Sequence, residues 1–424
     1  MSDTTTARRL LESGRIADAE RAYQQVLETE PDHIEALNVI GLAALRAGHS
    51  QRALELLGRA LAAAPQDAAT LHHLGRAYES VDDFPRAAET EAAAVRAEPG
   101  FFVARLHLAA CLERLENQDK AIIQYKRALD DAQRLGRWLG PATTPKWLQP
   151  LVAHAVISVR QGTKALFEQL FAPLRKQYGP DALTRVEQCV RIYLNQEPPV
   201  YVDPRQHPSF LLFPGLPTSA YLDTVHFPWI ERVEGATQAV RSELDRLLPS
   251  PTGRERVFST DALEAENLRG IDAVPSWNGY YFFRHGQRRD DNCQSCPITA
   301  GVLDSLPLPH IREHGPEVLF SVFTPGTHLM PHAGVTNTRV VAHLPLIVPE
   351  DCALKVGGEI HEWRTGKIVV FDDTYQHEAW NRSRHTRVVL IFDLWNPFLT
   401  EAERAAVSYL VGAIGDFREA VERA

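Results

Sequence analysis

Alanines recur every 34 residues, at Ala19, Ala53, Ala87 and Ala121, and this interval constrains the first third of the chain more than any other feature. Pro31, Pro65 and Pro99 keep the same spacing, as do Leu27, Leu61, Val95 and Leu129, and Ile40, Leu74 and Leu108. Gly41 and Gly75 match each other with Ala109 in phase, and Gly14 and Gly48 fall at the turn inside a unit. Small residues at fixed positions let paired helices approach closely, and Leu and Val fill the space between units. Proline ends the second helix of each unit, because it lacks an N–H and clashes with the preceding turn. Each unit buries its apolar face only by stacking on the next.

A 34-residue helical unit of this kind is the tetratricopeptide pattern. Residues 1–132 are therefore expected to form an all-α tetratricopeptide solenoid with a groove that binds a peptide or another protein. A spacer or a dimerising array has the same pattern, since fold does not fix function. Residues 133–204 lose the period. RWLGPATTPKWLQP reads as a loop, and two helical stretches follow it. The proline-rich NQEPPVYVDPRQHPSFLLFPGLP then marks a boundary, so 133–204 reads as a helical, Pro-rich connector.

The texture changes again within 205–424. TVHFPWIERVEGATQAVRSELDRLL reads as one helix. From residue 277 onward come short runs rich in β-branched and aromatic residues: WNGYYFF, EVLFSVF, THLM, TRVVAHLPLIV, CALKVGG, KIVVF and TRVVLIFDLW. Many short strands at this spacing predict a sandwich or jelly roll. An amphipathic helix, EAERAAVSYLVGAIGDFREAVERA, closes the chain.

The net charge of −9 over 424 residues argues against nucleic acid as a partner. No run approaches 18 apolar residues, so no membrane span is expected, and the polar first residues lack an apolar signal core. Five scattered cysteines do not form a disulfide framework. The expectation is a reduced, cytoplasmic protein. Cys293 and Cys296 form a CxxC with no second pair, which reads as structural, and Pro297 after it suggests a loop.

The chemistry sits in the β-rich stretch. His332 follows Pro331 at a strand end, His377 is read as lying in a loop, and Arg387 opens the last long strand. Two imidazoles on separate elements can hold a transition metal, and a guanidinium offers a planar fork to a carboxylate. In the facial-triad arrangement a carboxylate follows the first histidine by two residues, but that place is Gly334 here. Asp372, Asp373 and Asp393 are candidate acids, each read as a structural hydrogen-bonder. His328, four residues before His332, reads as a supporting or packing residue, and Trp380 and Trp395 as core.

Across 205–405 the chain resembles the aspartyl/asparaginyl β-hydroxylases, a family of iron(II)- and 2-oxoglutarate-dependent oxygenases. The matching pieces are FPGL, FPWIE, Trp277, SVFTPGTHLMPHAGVTNTR, His343, FDDTYQHEAWN, Arg387 and DLWNP, in that order. The family is similar in placing glycine where the triad has an acid. The resemblance implies a double-stranded β-helix (jelly-roll, cupin-like) domain over 205–424, with His332 and His377 as ligands of Fe(II). It implies that Arg387 holds a carboxylate of 2-oxoglutarate, that Ser321 and His343 contact this co-substrate, that Trp277 lines its pocket, and that O2 is consumed. The expected reaction is hydroxylation of a carbon, the β-carbon of an Asp/Asn-type residue in a peptide or protein recruited by the repeats. The chain departs from the family at Val341, where a second arginine is expected, with Arg339 nearby, and in the close spacing of Cys293 and Cys296. Other readings are a hydroxylase of a free or carrier-bound amino acid or of a lipid, and a tetratricopeptide adaptor whose β-domain is silent. A zinc hydrolase lacks a third ligand and a general base at usable spacing.

Overall fold

The computed structural model describes residues 4–249, 253–257, 268–269 and 277–424. The chain forms two compact units, one of residues 1–166 with 416–424 and the other of residues 167–415.

Among the described residues the first unit opens with eight successive helices: α1 (Thr4–Glu12), α2 (Ile16–Thr29), α3 (Ile34–Arg46), α4 (Ser50–Ala63), α5 (Ala68–Glu79), α6 (Phe84–Ala97), α7 (Phe102–Arg114) and α8 (Gln118–Arg134). The starts of α2, α4, α6 and α8 keep the 34-residue interval, and so do those of α3, α5 and α7. Ala19, Ala53, Ala87 and Ala121 are wholly buried. A Cβ on Gly41 would come within 2.7 Å of the Leu57 side chain, and one on Gly75 within 2.8 Å of the Glu91 side chain, so these glycines set how closely the helices pack. The turn position inside each unit is left-handed: Gly14 and Gly48 adopt φ of 76° and 78°, while Asp82 and Glu116 hold 57° and 58° in the same place.

Helix α9 (Gln149–Tyr178) carries the chain from the first unit into the second, and α10 (Thr184–Tyr193) follows. The segment expected as one helix after residue 224 is broken into α11 (Ile230–Gly235) and α12 (Thr237–Leu247), parting at Ala236 directly after Gly235, a weak helix former. The CxxC is not followed by a loop. Cys293 lies in α13 (Asp290–Ser295), and Pro297 is the first residue of α14 (Pro297–Asp304), where its missing N–H costs nothing. Both cysteines are buried and unpaired.

Among the described residues, thirteen strands form two antiparallel sheets: β1 (Tyr221–Leu222), β2 (Arg254–Arg256), β3 (Leu268–Arg269), β4 (Trp277–Arg284), β5 (Gln287–Arg288), β6 (Val318–Phe323), β7 (His328–His332), β8 (Arg339–Ile347), β9 (Cys352–Val356), β10 (Glu359–Glu362), β11 (Val369–Phe371), β12 (His377–Asn381) and β13 (Arg387–Trp395). The larger sheet runs β1-β11-β8-β13-β6-β4-β2, with β5 on β4, and the smaller runs β10-β9-β12-β7-β3. Strand alternation sorts the side chains. Val388, Leu390 and Phe392 of β13, with Ala342 and Leu344 of β8, face α11, α12 and α14 in the main core. Their odd-numbered neighbours face the smaller sheet. Phe323, Phe371 and Val389 pack there against Leu329, Leu354 and Ala379. Helix α15 (Glu401–Arg423) ends the chain. The architecture is the expected one: a helical repeat array followed by an antiparallel β-domain with flanking helices.

Candidate active site

His377 does not lie in a loop. It opens β12, whose partner β7 ends on His332, and the register sets the two histidines directly opposite one another. Their ring centroids are 4.1 Å apart. Nδ1 of His332 meets the carbonyl of Met330 at 2.8 Å, and Nδ1 of His377 meets the carbonyl of Tyr375 at 3.0 Å. A carbonyl only accepts, so each Nδ1 carries the proton and donates it, and each Nε2 keeps its lone pair. Burial holds the His332 imidazole below its ordinary range. It pushes His377 down to about 3, with His332 adding to the effect. Both rings are neutral at neutral pH, the state in which imidazole binds a metal.

A cavity of about 220 Å³ lies between the sheets. Trp277, Ser321, His332, His343, His377 and Arg387 all line it, so the six residues that the sequence singles out come together in one wall. Arg387 is 1% exposed. Its Nη1 donates to the Ser321 carbonyl at 3.2 Å and to Ser321 Oγ at 3.1 Å, while Trp277 Nε1 donates to the same Oγ at 2.8 Å. The guanidinium carbon lies 3.7 Å from the centroid of the Phe323 ring and 4.7 Å from that of Trp363. Burial pulls this arginine down to about 9, and no carboxylate among the described residues pairs with it.

The magnitudes indicate what is missing. Burying an ion costs several kcal/mol even after relaxation. Each ring contact returns about 0.5–2 kcal/mol. Rings and a neutral carbonyl do not neutralise the charge; an anion in the cavity does. Two buried nitrogens facing this region have no hydrogen-bond partner, Arg387 Nε and His343 Nδ1. The pocket can thus take a metal at one end and an anionic group at the other.

Val341 lines the cavity. Arg339, two positions before it on β8, does not replace the expected arginine: its Nη1 is committed to Asp393 Oδ2 at 2.8 Å and to the His314 carbonyl at 3.1 Å. Asp393 is therefore structural, and so is Asp372, which accepts from Thr374 and Gln206. Asp373 behaves differently. It lines the cavity, and a Cβ added at Gly334 would collide with its carboxyl group. The acid missing from position 334 is thus met in space by one from the β11–β12 connection. Burial, with Asp372 next, raises this carboxyl to about 8. His328 is outside the cavity wall and bonds Glu378 at 2.9 Å, and Trp380 is buried beside it.

Sequence reasoning missed the aromatic clamp on Arg387. Phe323 and Trp363 come from other segments, and only the register of β6 against β13, which sets Phe323 opposite Arg387, brings the first of them there. It also passed over the two carbonyls that aim the histidines, for which a sequence holds no signal.

Comparison with known proteins is consistent with this geometry. The model of the aspartyl/asparaginyl beta-hydroxylase family matches residues 234–397, and that of the tetratricopeptide repeat matches 4–68 and 73–134. The chain is 33% identical to the ornithine lipid ester-linked acyl 2-hydroxylase of Rhizobium tropici, over 42% of this chain and 62% of that protein. It is 34% identical to the human aspartyl/asparaginyl beta-hydroxylase, over 42% of this chain and 24% of that one. It is 30% identical to the mouse aspartate beta-hydroxylase domain-containing protein 2, over 55% of this chain and 67% of that one. The chain thus spans less than two thirds of the first two relatives.

Proposed function

Because this chain belongs to the aspartyl/asparaginyl β-hydroxylase family, we propose that its β-domain is an iron(II)- and 2-oxoglutarate-dependent dioxygenase that hydroxylates a carbon of its substrate. The observation that carries the reading is one cavity with two carbonyl-anchored imidazoles at one end and an uncompensated buried arginine at the other. Iron(II) fits the free Nε2 atoms of His332 and His377, since imidazole suits iron. A carboxylate of 2-oxoglutarate fits Arg387, with its orphaned Nε, and Ser321. His343 and Trp277 wall the same pocket.

When bound, iron, co-substrate and dioxygen supply the oxidation: one oxygen atom enters a substrate C–H bond, the other ends in succinate, and carbon dioxide leaves. The chain supplies orientation and dryness. Arg387 is fixed by the Ser321 carbonyl and two rings, so it holds a carboxylate without reorganising. Trp277 fixes the Ser321 hydroxyl from the other side. Leu319, Val341 and Ile391 exclude water from the wall. Burial raises the Asp373 carboxyl to about 8, and in its protonated form it offers one donor beside Gly334.

The substrate is read as an Asp/Asn-type residue, hydroxylated at its β-carbon, in a peptide or protein recruited by the repeat array. The name of the Rhizobium relative keeps an acyl lipid as the second reading. Anaerobic titration of the full chain with Fe(II) and 2-oxoglutarate tests the cofactors. A visible charge-transfer band, lost in His377→Ala, is expected; no band and no co-substrate binding leaves the silent adaptor. Turnover with Asp- or Asn-containing peptides, free amino acids and acyl lipids, read as the mass of one added oxygen atom, decides among substrates.

A further inference from the structure

One buried cluster in the repeat array takes no part in this chemistry. Tyr23, Leu57, Glu91 and Tyr125 occupy equivalent positions of the 34-residue unit, and all are wholly buried. In one repeat the Tyr125 hydroxyl donates to Glu113 at 2.9 Å. One unit earlier the same two positions are Glu91 and Glu79, so two carboxylates stand where a donor and an acceptor stand next door. Gly75 leaves the space that the Glu91 carboxyl fills. Arg76 Nε lies 3.3 Å from Glu79 Oε2 and answers part of that charge from the half-buried side; between the two carboxyls, on the side of the wholly buried Glu91, a cation or a proton is still needed.

Imidazole and thiol donors surround this pair. His107 Nδ1 is 3.1 and 3.2 Å from the two Glu79 oxygens, and Cys111 Sγ is 3.4 Å from Glu79 Oε1. His107 and Cys111 are four residues apart on α7, hence on one face. Ligand atoms of Glu79, Glu91 and His107 lie within 4.8 Å of one another. A tetrahedral zinc with bonds of about 2.0–2.3 Å sets its donors roughly 3.3–3.7 Å apart. The Glu79–His107 and Glu79–Cys111 separations are already close to that, and Glu91 stands within 4.8 Å of both Glu79 and His107. His72 Nδ1 holds Glu91 at 2.9 Å, as an outer partner orients a ligating carboxylate. His107 Nε2 is buried without a partner.

We propose that Glu79, Glu91 and His107 form a structural site for a zinc-class divalent cation that ties α5, α6 and α7 together, with the Cys111 thiol beside Glu79. The mixed carboxylate and imidazole donors suit a borderline-soft cation rather than calcium or magnesium. Burial and the neighbouring Glu79 drive the Glu91 carboxyl well above its ordinary range.

The test uses the full chain carrying His332→Ala and His377→Ala, stripped with a chelator, so that the β-domain histidines contribute no metal binding. Zinc is titrated against a chromophoric chelator, and cobalt(II) is added separately as a spectroscopic probe. One zinc per chain is expected, with visible cobalt d–d bands and a raised unfolding midpoint of the helical signal. Glu91→Gln and His107→Gln in this background weaken zinc by about 100-fold or more. The cobalt spectrum of the unaltered cluster reports ligation even if either variant folds poorly. No zinc uptake, or affinity unchanged in both variants, overturns the proposal and leaves a cluster closed by protons.

Discussion

Replacing Arg387 with methionine separates a binding arginine from a structural one, because the two roles move stability and affinity differently. The side chain is 1% exposed, has no acidic partner among the described residues, and is pulled down to about 9 by burial. Arg387→Met removes the Nη1 bonds to Ser321, worth about 1.5–3 kcal/mol for a charged donor. It also removes ring contacts with Phe323 and Trp363, about 0.5–2 kcal/mol each. Against this, it relieves a burial cost of several kcal/mol, and methionine refills much of the volume. Trp277 keeps its bond to Ser321 Oγ, so that hydroxyl is not stranded. The ligand-free variant is therefore expected to unfold within about 2 kcal/mol of the parent, on either side. Affinity for 2-oxoglutarate behaves otherwise. Truncating one member of a buried charged pair costs about 2–5 kcal/mol, or roughly 30- to 5,000-fold. Val341 sits where a second arginine would share that load, which pushes the loss toward the upper part of the range. Urea unfolding and anaerobic calorimetry on the same preparations read the two quantities. Destabilisation beyond about 3 kcal/mol with affinity intact would refute the reasoning, since the arginine would then be structural.

Gly334→Ala is expected to cost about 1–3 kcal/mol by driving a Cβ into the Asp373 carboxyl, and Asp373→Ala in the same chain should recover most of it in a double-mutant cycle; additive losses would disprove the contact. Glu116→Gly should stabilise the repeat array by about 1 kcal/mol, because residue 116 holds a left-handed φ of 58° that glycine adopts freely, and a lower thermal midpoint would contradict this. Burial lowers His73 to about 4, so the unfolded chain takes up a proton near pH 6.5 that the native chain refuses. The contribution of His73 is whole above pH 6.5 and is lost as the pH falls toward 4. His73→Gln should accordingly flatten the acid side of the stability profile by up to about 1.4 kcal/mol per pH unit, measured by urea unfolding between pH 6.5 and 4.

Periodic features were legible in the sequence because they repeat a physical constraint. The helix starts keep the interval of the alanines, and the β-domain appears where β-branched runs begin. Features that depend on pairing were not. His377 looked like a loop residue because DDTYQ precedes it, yet the ladder with β7 and β9 makes it a strand residue. Asp373 and Gly334 are far apart in sequence, and nothing local shows that one carboxyl fills the space of the other. Glu91 reads as an ordinary helix-surface glutamate until the 34-residue phase puts it in register with Tyr23, Leu57 and Tyr125.

Both histidines are aimed by the carbonyl two residues upstream on their own segments, Met330 and Tyr375. No side chain does the aiming, so no single substitution can delete an aiming group. Residue 330 can vary without turning the His332 ring, and the Tyr375 side chain, wholly buried and bonded to Asp203, is held by packing and not by the aiming of His377. Selection can then remodel the cavity mouth for new substrates while the histidine pair is inherited unchanged with the ladder. In such a lineage, substrate range drifts faster than the reaction itself.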